Sequence, residues 1–269
     1  MPAVERNLIL GSLLVLAAAA WGLLVWQAAN PDMTMGGLTA GMTAPLFLAM
    51  WIAMMVAVMF PSAAPMILTF ATVQSGKRQH GQAFVPSWVF TGAYLLVWTA
   101  LGVGAYVLAL AADAVAMNSM WLSENGSRFG GLLILLAGVY QLSPLKTACL
   151  NKCRSPLSFI MTSWRDGYAG AFRMGLEHGW YCAGCCWLLF LILLPLGVMN
   201  ILAMVLLTAL IFAEKALPVG PRVAQLAAVA LIAYGAVVIL VPALLPALGP
   251  AMDMPSAPMS EQGMAGMGM

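Results

Sequence analysis

The residues most able to do chemistry are concentrated in the stretch GLEHGWYCAGCCW, residues 175–187. If the stretch and the residue before it form a helix, one stripe over about a third of the circumference carries five side chains with soft or imidazole ligand atoms: Met174, His178, Cys182, Cys185 and Cys186. Thioether, thiolate and imidazole groups select Cu(I), with Zn(II) as the competitor. The stripe therefore predicts a metal site for copper as Cu+, with zinc as the less favoured alternative.

Two other interpretations of this stretch stay open. Small residues recur every four positions beside the stripe, which is typical of close helix packing: Gly167, Ala171, Gly175, Gly179 and Ala183. Buried cysteine can belong to such an interface as a small hydrophobe. Cys182 and Cys185 also have the CxxC spacing of thiol oxidoreductases, although no βαβ pattern accompanies them. Packing alone would not require His178, because ionisable groups at membrane depth are costly and usually functional.

Other segments supply further soft ligands. The run APLFLAMWIAMMVAVMFPSAAPM carries three methionines as candidate ligands or relay positions, with core filling as the alternative role for each: Met54, Met55 and Met59. Pro61 and Pro65 are predicted to kink this run. Cys149 and Cys153, in PLKTACLNKC, have helical i, i+4 spacing beside basic residues that favour thiolates. A metal hand-off point is predicted there, with a redox-labile pair or ordinary loop residues as alternatives.

Three acidic or basic residues near these segments are given structural roles. Glu177 lies about 100° around the helix from His178, so a separate partner is predicted for it. Glu214 and Lys215 end an apolar segment and are predicted to pair with each other or with a neighbouring loop.

The composition indicates a membrane protein. The chain has 269 residues, of which 63% are apolar and 7% charged, whereas a soluble domain carries about 25% charged residues. A net charge of +2 without a long basic block gives no indication of nucleic-acid binding. Five cysteines in such a chain are not the disulfide framework of a small secreted domain.

Apolar segments predict an all-α transmembrane helix bundle. Seven segments are near or above the roughly 20 residues that a helix needs to span a bilayer: 8–29, 44–73, 84–112, 129–150, 168–196, 199–217 and 223–248. A count of six is the alternative, if one segment is re-entrant. The first segment is interpreted as an uncleaved helix rather than a signal peptide, because its apolar run of about 22 residues is long enough to span.

The basic residues predict the orientation of the bundle. They fall mainly in alternate loops, so the positive-inside rule places the N-terminus in the cytoplasm and the C-terminus outside: Arg6, Lys77, Arg78, Lys146, Lys152, Arg154, Arg165, Lys215 and Arg222. Residues 1–248 are then a transmembrane helical domain. Residues 249–269 are a disordered, methionine-rich extracytoplasmic tail. The tail methionines, with Met33, Met35 and Met42 of the first outer loop, are predicted to capture metal weakly.

Catalytic motifs are absent from the sequence. It contains no GxSxG elbow, P-loop, HExxH or Rossmann glycine pattern. Two histidines in the whole chain exclude a His-rich di-metal or haem–copper centre within this subunit. We therefore expect a binding protein and no enzyme.

Several motifs in the same order resemble a bacterial family of integral membrane proteins that is labelled as predicted metal-binding and classed as a domain of unknown function. They span about residues 45–220 and are MMVAVMFPSAAPM, YQLSPLKTACLNKCRSP, GLEHGWYCAGCCW, GVMN and a later EK. The resemblance implies a multi-pass protein of the bacterial inner (plasma) membrane. It also implies a metal site at six positions of this sequence: Cys149, Cys153, His178, Cys182, Cys185 and Cys186.

The preferred functional hypothesis is the handling of Cu(I), by uptake, storage or delivery across or within the inner membrane. Thioethers outside and thiolates inside form an affinity gradient directed inward. The alternative is a structural or accessory subunit of a larger membrane complex, and a copper-loading assembly factor would combine the two. The expected partners are the lipid bilayer, the metal ion and a copper chaperone or copper-enzyme complex, without nucleic acid.

Overall fold

The computed structural model describes residues 1–30, 39, 41–119, 121, 125–197 and 200–245. Met33, Met35 and the predicted tail at 249–269 lie outside the described residues. Met42 lies within them, and its side chain is buried rather than displayed in an outer loop.

The described residues form helices and no strands, which confirms the all-α fold class. The helices, in chain order, are α1 (Ala3–Ala29), α2 (Ala44–Gln79), α3 (Ser87–Asn118), α4 (Gly126–Gln141), α5 (Pro144–Arg154), α6 (Pro156–Ser163), α7 (Gly167–Leu191), α8 (Leu193–Leu196), α9 (Ile201–Ala216) and α10 (Gly220–Leu240). A short 3-10 helix, Pro242–Leu244, follows α10.

Five helical stretches among the described residues are long and apolar enough to cross a membrane. They are Ala3–Ala29, Ala44–Gln79, Ser87–Val115, Gly167–Leu196 and Gly220–Leu240. A sixth is added if α4 and α5, bent by 64° at their junction, form one span. The predicted segment 199–217 corresponds to α9, whose 16 residues fall short of a full crossing. The described residues therefore give five or six candidate spans, where the sequence predicted seven segments.

The bend between α4 and α5 follows from the sequence Leu142–Ser143–Pro144. Proline disfavours helical backbone in the residue before it, and Ser143 is extended, with φ −70° and ψ 145°. The Ser143 hydroxyl then accepts a hydrogen bond from the backbone N–H of Lys146 at 3.1 Å, which caps α5. The predicted single helix at 129–150 is therefore two helices, and α5 packs against α7.

Helices α2 and α7 form the centre of the structure. In the most apolar stretch of each, 56% of the residues are buried, against 22% in α1 and α10. α2 stays helical through Pro61 and Pro65, so neither proline interrupts it. The two helices that carry most of the predicted metal ligands are thus the two most enclosed by protein.

Glycines on α7 allow α3 to approach closely. A Cβ added at Gly175 would lie 2.4 Å from the carbonyl oxygen of Phe90, and one at Gly179 would lie 2.8 Å from Cγ2 of Val97. The predicted stripe of small residues therefore packs against α3, which holds Tyr94 next to the middle of α7.

We expect Gly175→Ala to lower the free energy of unfolding by about 1–3 kcal/mol, because the new methyl group meets backbone that cannot rotate away. Thermal unfolding of the purified protein in detergent measures this change. Gly92→Ala on α3 is the matched control, since a Cβ there meets nothing within 4 Å. It should leave stability unchanged or raise it by up to about 1 kcal/mol. Equal effects of the two substitutions would contradict the packing argument.

Ion pairs join the ends of three helices. Arg78 at the end of α2 contacts Glu5 of α1, with Nη2 and Oε2 2.8 Å apart. Lys77 pairs with Asp166, which precedes α7. The hydrogen bond from Lys77 lowers the pKa of the exposed Asp166 carboxyl. The starts of α1 and α7 and the end of α2 therefore lie at the same end of the bundle.

Candidate metal centre

Side chains from three other helices contact Cys182, which lies on α7. It lies about 22 Å along α7 from Gly167, and its side chain is only 1% exposed. The hydroxyl of Tyr94, from α3, lies 3.1 Å from Cys182 Sγ. Met59 Sδ, from α2, lies 3.9 Å from the same sulfur, and Lys215 Nζ, from α9, lies 3.0 Å from it.

Two more cysteines complete this group. The thiol of Cys153, on α5, lies near the thiols of Cys182 and Cys185. The bend at Pro144 thus brings a residue that follows the predicted segment 129–150 close to the central stripe. We refer to the whole set as the Cys182 cluster: Met59, Tyr94, Cys153, Cys182, Cys185 and Lys215.

Two of the predicted ligands are turned toward the backbone. Cys185 Sγ donates to the Cys182 carbonyl at 3.0 Å, and Cys186 Sγ donates to the same oxygen at 2.8 Å. Each thiol would have to rotate about its Cα–Cβ bond to bind an ion. The helical stripe predicted from the sequence is present, but it does not converge on a single point.

Within the described ranges, no group of three or more His, Cys, Asp or Glu side chains is arranged to hold a metal ion. The geometry instead offers a thiol and a thioether in contact, Cys182 and Met59, with Cys153 beside them. Two or three soft sulfur ligands suit Cu(I), whereas a closed zinc site takes four nitrogen, oxygen or sulfur ligands. The donor set therefore fits Cu(I) better than Zn(II).

His178 lies one helical turn before Cys182 and is 3% exposed. Its ring is surrounded by those of Phe90, Tyr94 and Phe159, with ring centroids 5.8, 5.6 and 5.5 Å away. Its Nδ1 is buried without a hydrogen-bond partner. Because most buried polar atoms are paired, this unpaired nitrogen is a candidate metal ligand.

The other predicted ligands lie around the cluster. Met54, Met55 and Met174 are buried in the core. Cys149 is half-buried, and its Sγ lies against Gly184, where an added Cβ would be 2.7 Å away. A ligand role for these four residues stays a prediction. Glu177 has the separate partners expected of it, Arg165 at 3.3 Å and Arg173 at 3.6 Å.

A match to a known protein family bears on which metal the site binds. Residues 48–238 match the PpoB2 family, whose description is copper chaperone. The chain belongs to the PpoB2 copper-chaperone family. The PpoB2 match covers every residue of the Cys182 cluster and supports copper, the metal that the stripe on α7 predicts. The named membrane family stays a prediction, and no curated protein or solved structure matches the chain.

Glu214 and Lys215, which also lie within the PpoB2 match, have side chains that contact different groups. The Glu214 carboxylate accepts hydrogen bonds from Lys146 Nζ at 2.6 Å and from Gln141 Nε2 at 3.0 Å. The side chains of Glu214 and Lys146 are only 2% and 1% exposed. Arg154 Nη1 donates to the Glu214 carbonyl at 2.6 Å. Glu214 therefore pairs with side chains of α4 and α5 rather than with Lys215 or a loop, whereas Lys215 contacts sulfur.

Lys215 and Tyr94 are the two residues of the site that the sequence reading missed. A lysine at the end of an apolar segment is itself a signal, because an ionisable residue at membrane depth is usually functional. Its positive charge 3.0 Å from Cys182 Sγ stabilises the thiolate, which is the form that binds metal. Tyr94 had no comparable signal, since nothing in the local sequence distinguishes it from an interface aromatic.

Proposed function

We propose that this protein is an integral membrane chaperone for Cu(I), which it holds between Cys182 and Met59 and passes to a copper-accepting partner. The observation that carries the proposal is the contact between a buried thiol and a thioether, 3.9 Å apart, in a chain of a copper-chaperone family. Soft sulfur ligands favour Cu(I) over harder divalent ions.

The neighbouring cysteine supports delivery rather than permanent storage. Cys153 is half-buried on α5, whereas Cys182 is fully enclosed on α7. Cu(I) moves between thiolates by ligand exchange, in which an incoming sulfur binds before the outgoing one leaves. Cys153 is placed to be the intermediate ligand between Cys182 and the surface.

The apolar helices support a membrane location for this role. Five helical stretches among the described residues are long and apolar enough to cross a bilayer. We place the protein in the bacterial inner membrane as a multi-pass protein, with the N-terminus cytoplasmic, and infer a binding function without catalysis. The protein partner is a copper enzyme or another copper carrier, for which this chain acts as a loading factor.

Loading with Cu(I) tests the proposal directly. The reduced, detergent-purified protein should retain copper against a weak chelator, and X-ray absorption should show a copper site dominated by sulfur. Met59→Leu removes the thioether with little change in volume and should weaken binding about tenfold, or roughly 1.4 kcal/mol. Met66→Leu, also buried on α2, is the matched control and should leave affinity unchanged. Absence of copper from the wild-type protein would overturn the proposal.

A further inference from the structure

Lys215 lies against both sulfurs of the proposed copper pair. Its Nζ is 3.0 Å from Cys182 Sγ and 3.7 Å from Met59 Sδ, and those sulfurs are themselves 3.9 Å apart. A cation therefore already caps the thiol and the thioether together. An ion shared by the same two sulfurs would lie close to that position.

We propose that Lys215 is a charge placeholder, whose ammonium caps the sulfur pair in the metal-free protein and withdraws when Cu(I) binds. This inference rests on the proposed copper function. The exchange is balanced in charge, because one monovalent cation leaves as another arrives at the Cys182 thiolate. No electron or proton has to be transferred, and Cu(I) comes from a donor complex with soft ligands.

The exchange gives the site a means of selecting ions by charge. Placing an uncompensated charge in a buried site is strongly unfavourable. Cu(I) in place of the ammonium leaves the charge of the buried cluster unchanged. A divalent ion in the same place adds one positive charge, so Lys215 favours a monovalent soft ion over Zn(II).

The half-buried position of Lys215 allows its ammonium to turn outward. Lys215 is half-buried near the end of α9, whereas Cys182 is 1% exposed. The flexible four-carbon chain of lysine allows the charged end to turn toward the surface. The neighbouring Glu214 carboxylate already accepts hydrogen bonds from Lys146 and Gln141. The Lys215 ammonium therefore moves toward solvent rather than toward Glu214.

Chemical labelling of Lys215 tests the withdrawal without any substitution. The detergent-purified, reduced protein is treated with an amine-reactive reagent, without metal and after stoichiometric Ag(I), an air-stable mimic of Cu(I). Peptide mass spectrometry measures the labelled fraction of Lys215, with Lys152 as the internal reference. We expect labelling of Lys215 to rise severalfold with Ag(I) while that of Lys152 stays constant. Bound Ag(I) with unchanged labelling of Lys215 would overturn the placeholder.

Substitution tests the selectivity. Lys215→Leu removes the charge without adding a ligand, and the ratio of Ag(I) to Zn(II) affinity should fall about tenfold or more. Lys215→Arg keeps the charge and should preserve most of the ratio. Lys152→Leu, at another half-buried lysine, is the matched control and should not change it. An unchanged ratio in Lys215→Leu contradicts the placeholder, whereas a wild-type protein that binds neither Ag(I) nor Cu(I) contradicts the proposed function itself.

Discussion

Cys182→Ser is expected to lower the Cu(I) affinity of the purified protein about 100-fold, or roughly 2.7 kcal/mol. The substitution replaces a soft thiolate with a hard hydroxyl oxygen, which is a poor ligand for Cu(I). It also removes the atom that contacts Tyr94, Met59 and Lys215. Competition between the protein and a chromophoric Cu(I) chelator measures the affinity.

Cys149→Ser is the matched control for this loss. Cys149 lies one helical turn before Cys153 on α5, but its sulfur packs against Gly184. Because this sulfur packs against Gly184, the same chemical change should leave the Cu(I) affinity of the Cys182–Met59 pair nearly unchanged. The predicted hand-off role of Cys149 does not require it to hold the ion at that pair. If Cys149→Ser costs as much affinity as Cys182→Ser, the cysteines act as an interchangeable pool and the assignment of Cys182 as the principal ligand is wrong. Thermal unfolding of both variants without metal checks that each is folded.

Glu214→Ala is expected to give the largest loss of stability, about 3–5 kcal/mol. The Lys146 ammonium, 1% exposed and 2.6 Å from the Glu214 carboxylate, would be left as an unpaired buried charge. Gln141 would lose the same acceptor. Unfolding of the metal-free protein in detergent, followed by circular dichroism, measures the change.

A double substitution distinguishes the effect of the unpaired charge on stability from the effect of lost side-chain volume. Replacing Lys146 by methionine and Glu214 by leucine together removes both charges and keeps most of the volume. Such replacements of buried ion pairs are often neutral or stabilising. The double variant should therefore recover most of the stability lost in Glu214→Ala. Equal instability of the single and double variants would show that the unpaired charge is not the cause.

Local sequence patterns predicted the features that depend only on residues close together in the chain, namely the helices and the buried side of α7. Composition and the apolar runs predicted the helices, and the i, i+4 spacing of His178 and Cys182 placed both on the buried side of α7. Helical periodicity did not predict the orientation of the Cys186 thiol, which donates to a backbone carbonyl one turn earlier. Rotamer choice decides that contact, and it cannot be read from helical periodicity.

The remaining parts of the site depend on contacts between distant residues. Met59, Tyr94 and Lys215 are separated from Cys182 by 123, 88 and 33 positions, so no window of sequence contains the cluster. The bend that brings Cys153 inward had a local signal in Pro144, but the long apolar run around it suggested one continuous helix. The number of candidate spans differed for a similar reason, because hydropathy does not record that α9 ends after 16 residues.

The ion pair and the hydrogen bond that join α5 to Glu214 of α9 have a mechanical consequence. Lys146 near the start of α5 and Arg154 at its end both bond to Glu214 of α9, so the two helices are tied at both ends of α5. Proline at the start of α5 has no backbone N–H to join it to α4. The tied pair carries Cys153 and Lys215, while the central helices carry Met59 and Cys182. Any shift of this pair relative to the central helices therefore moves a ligand and a counter-ion together.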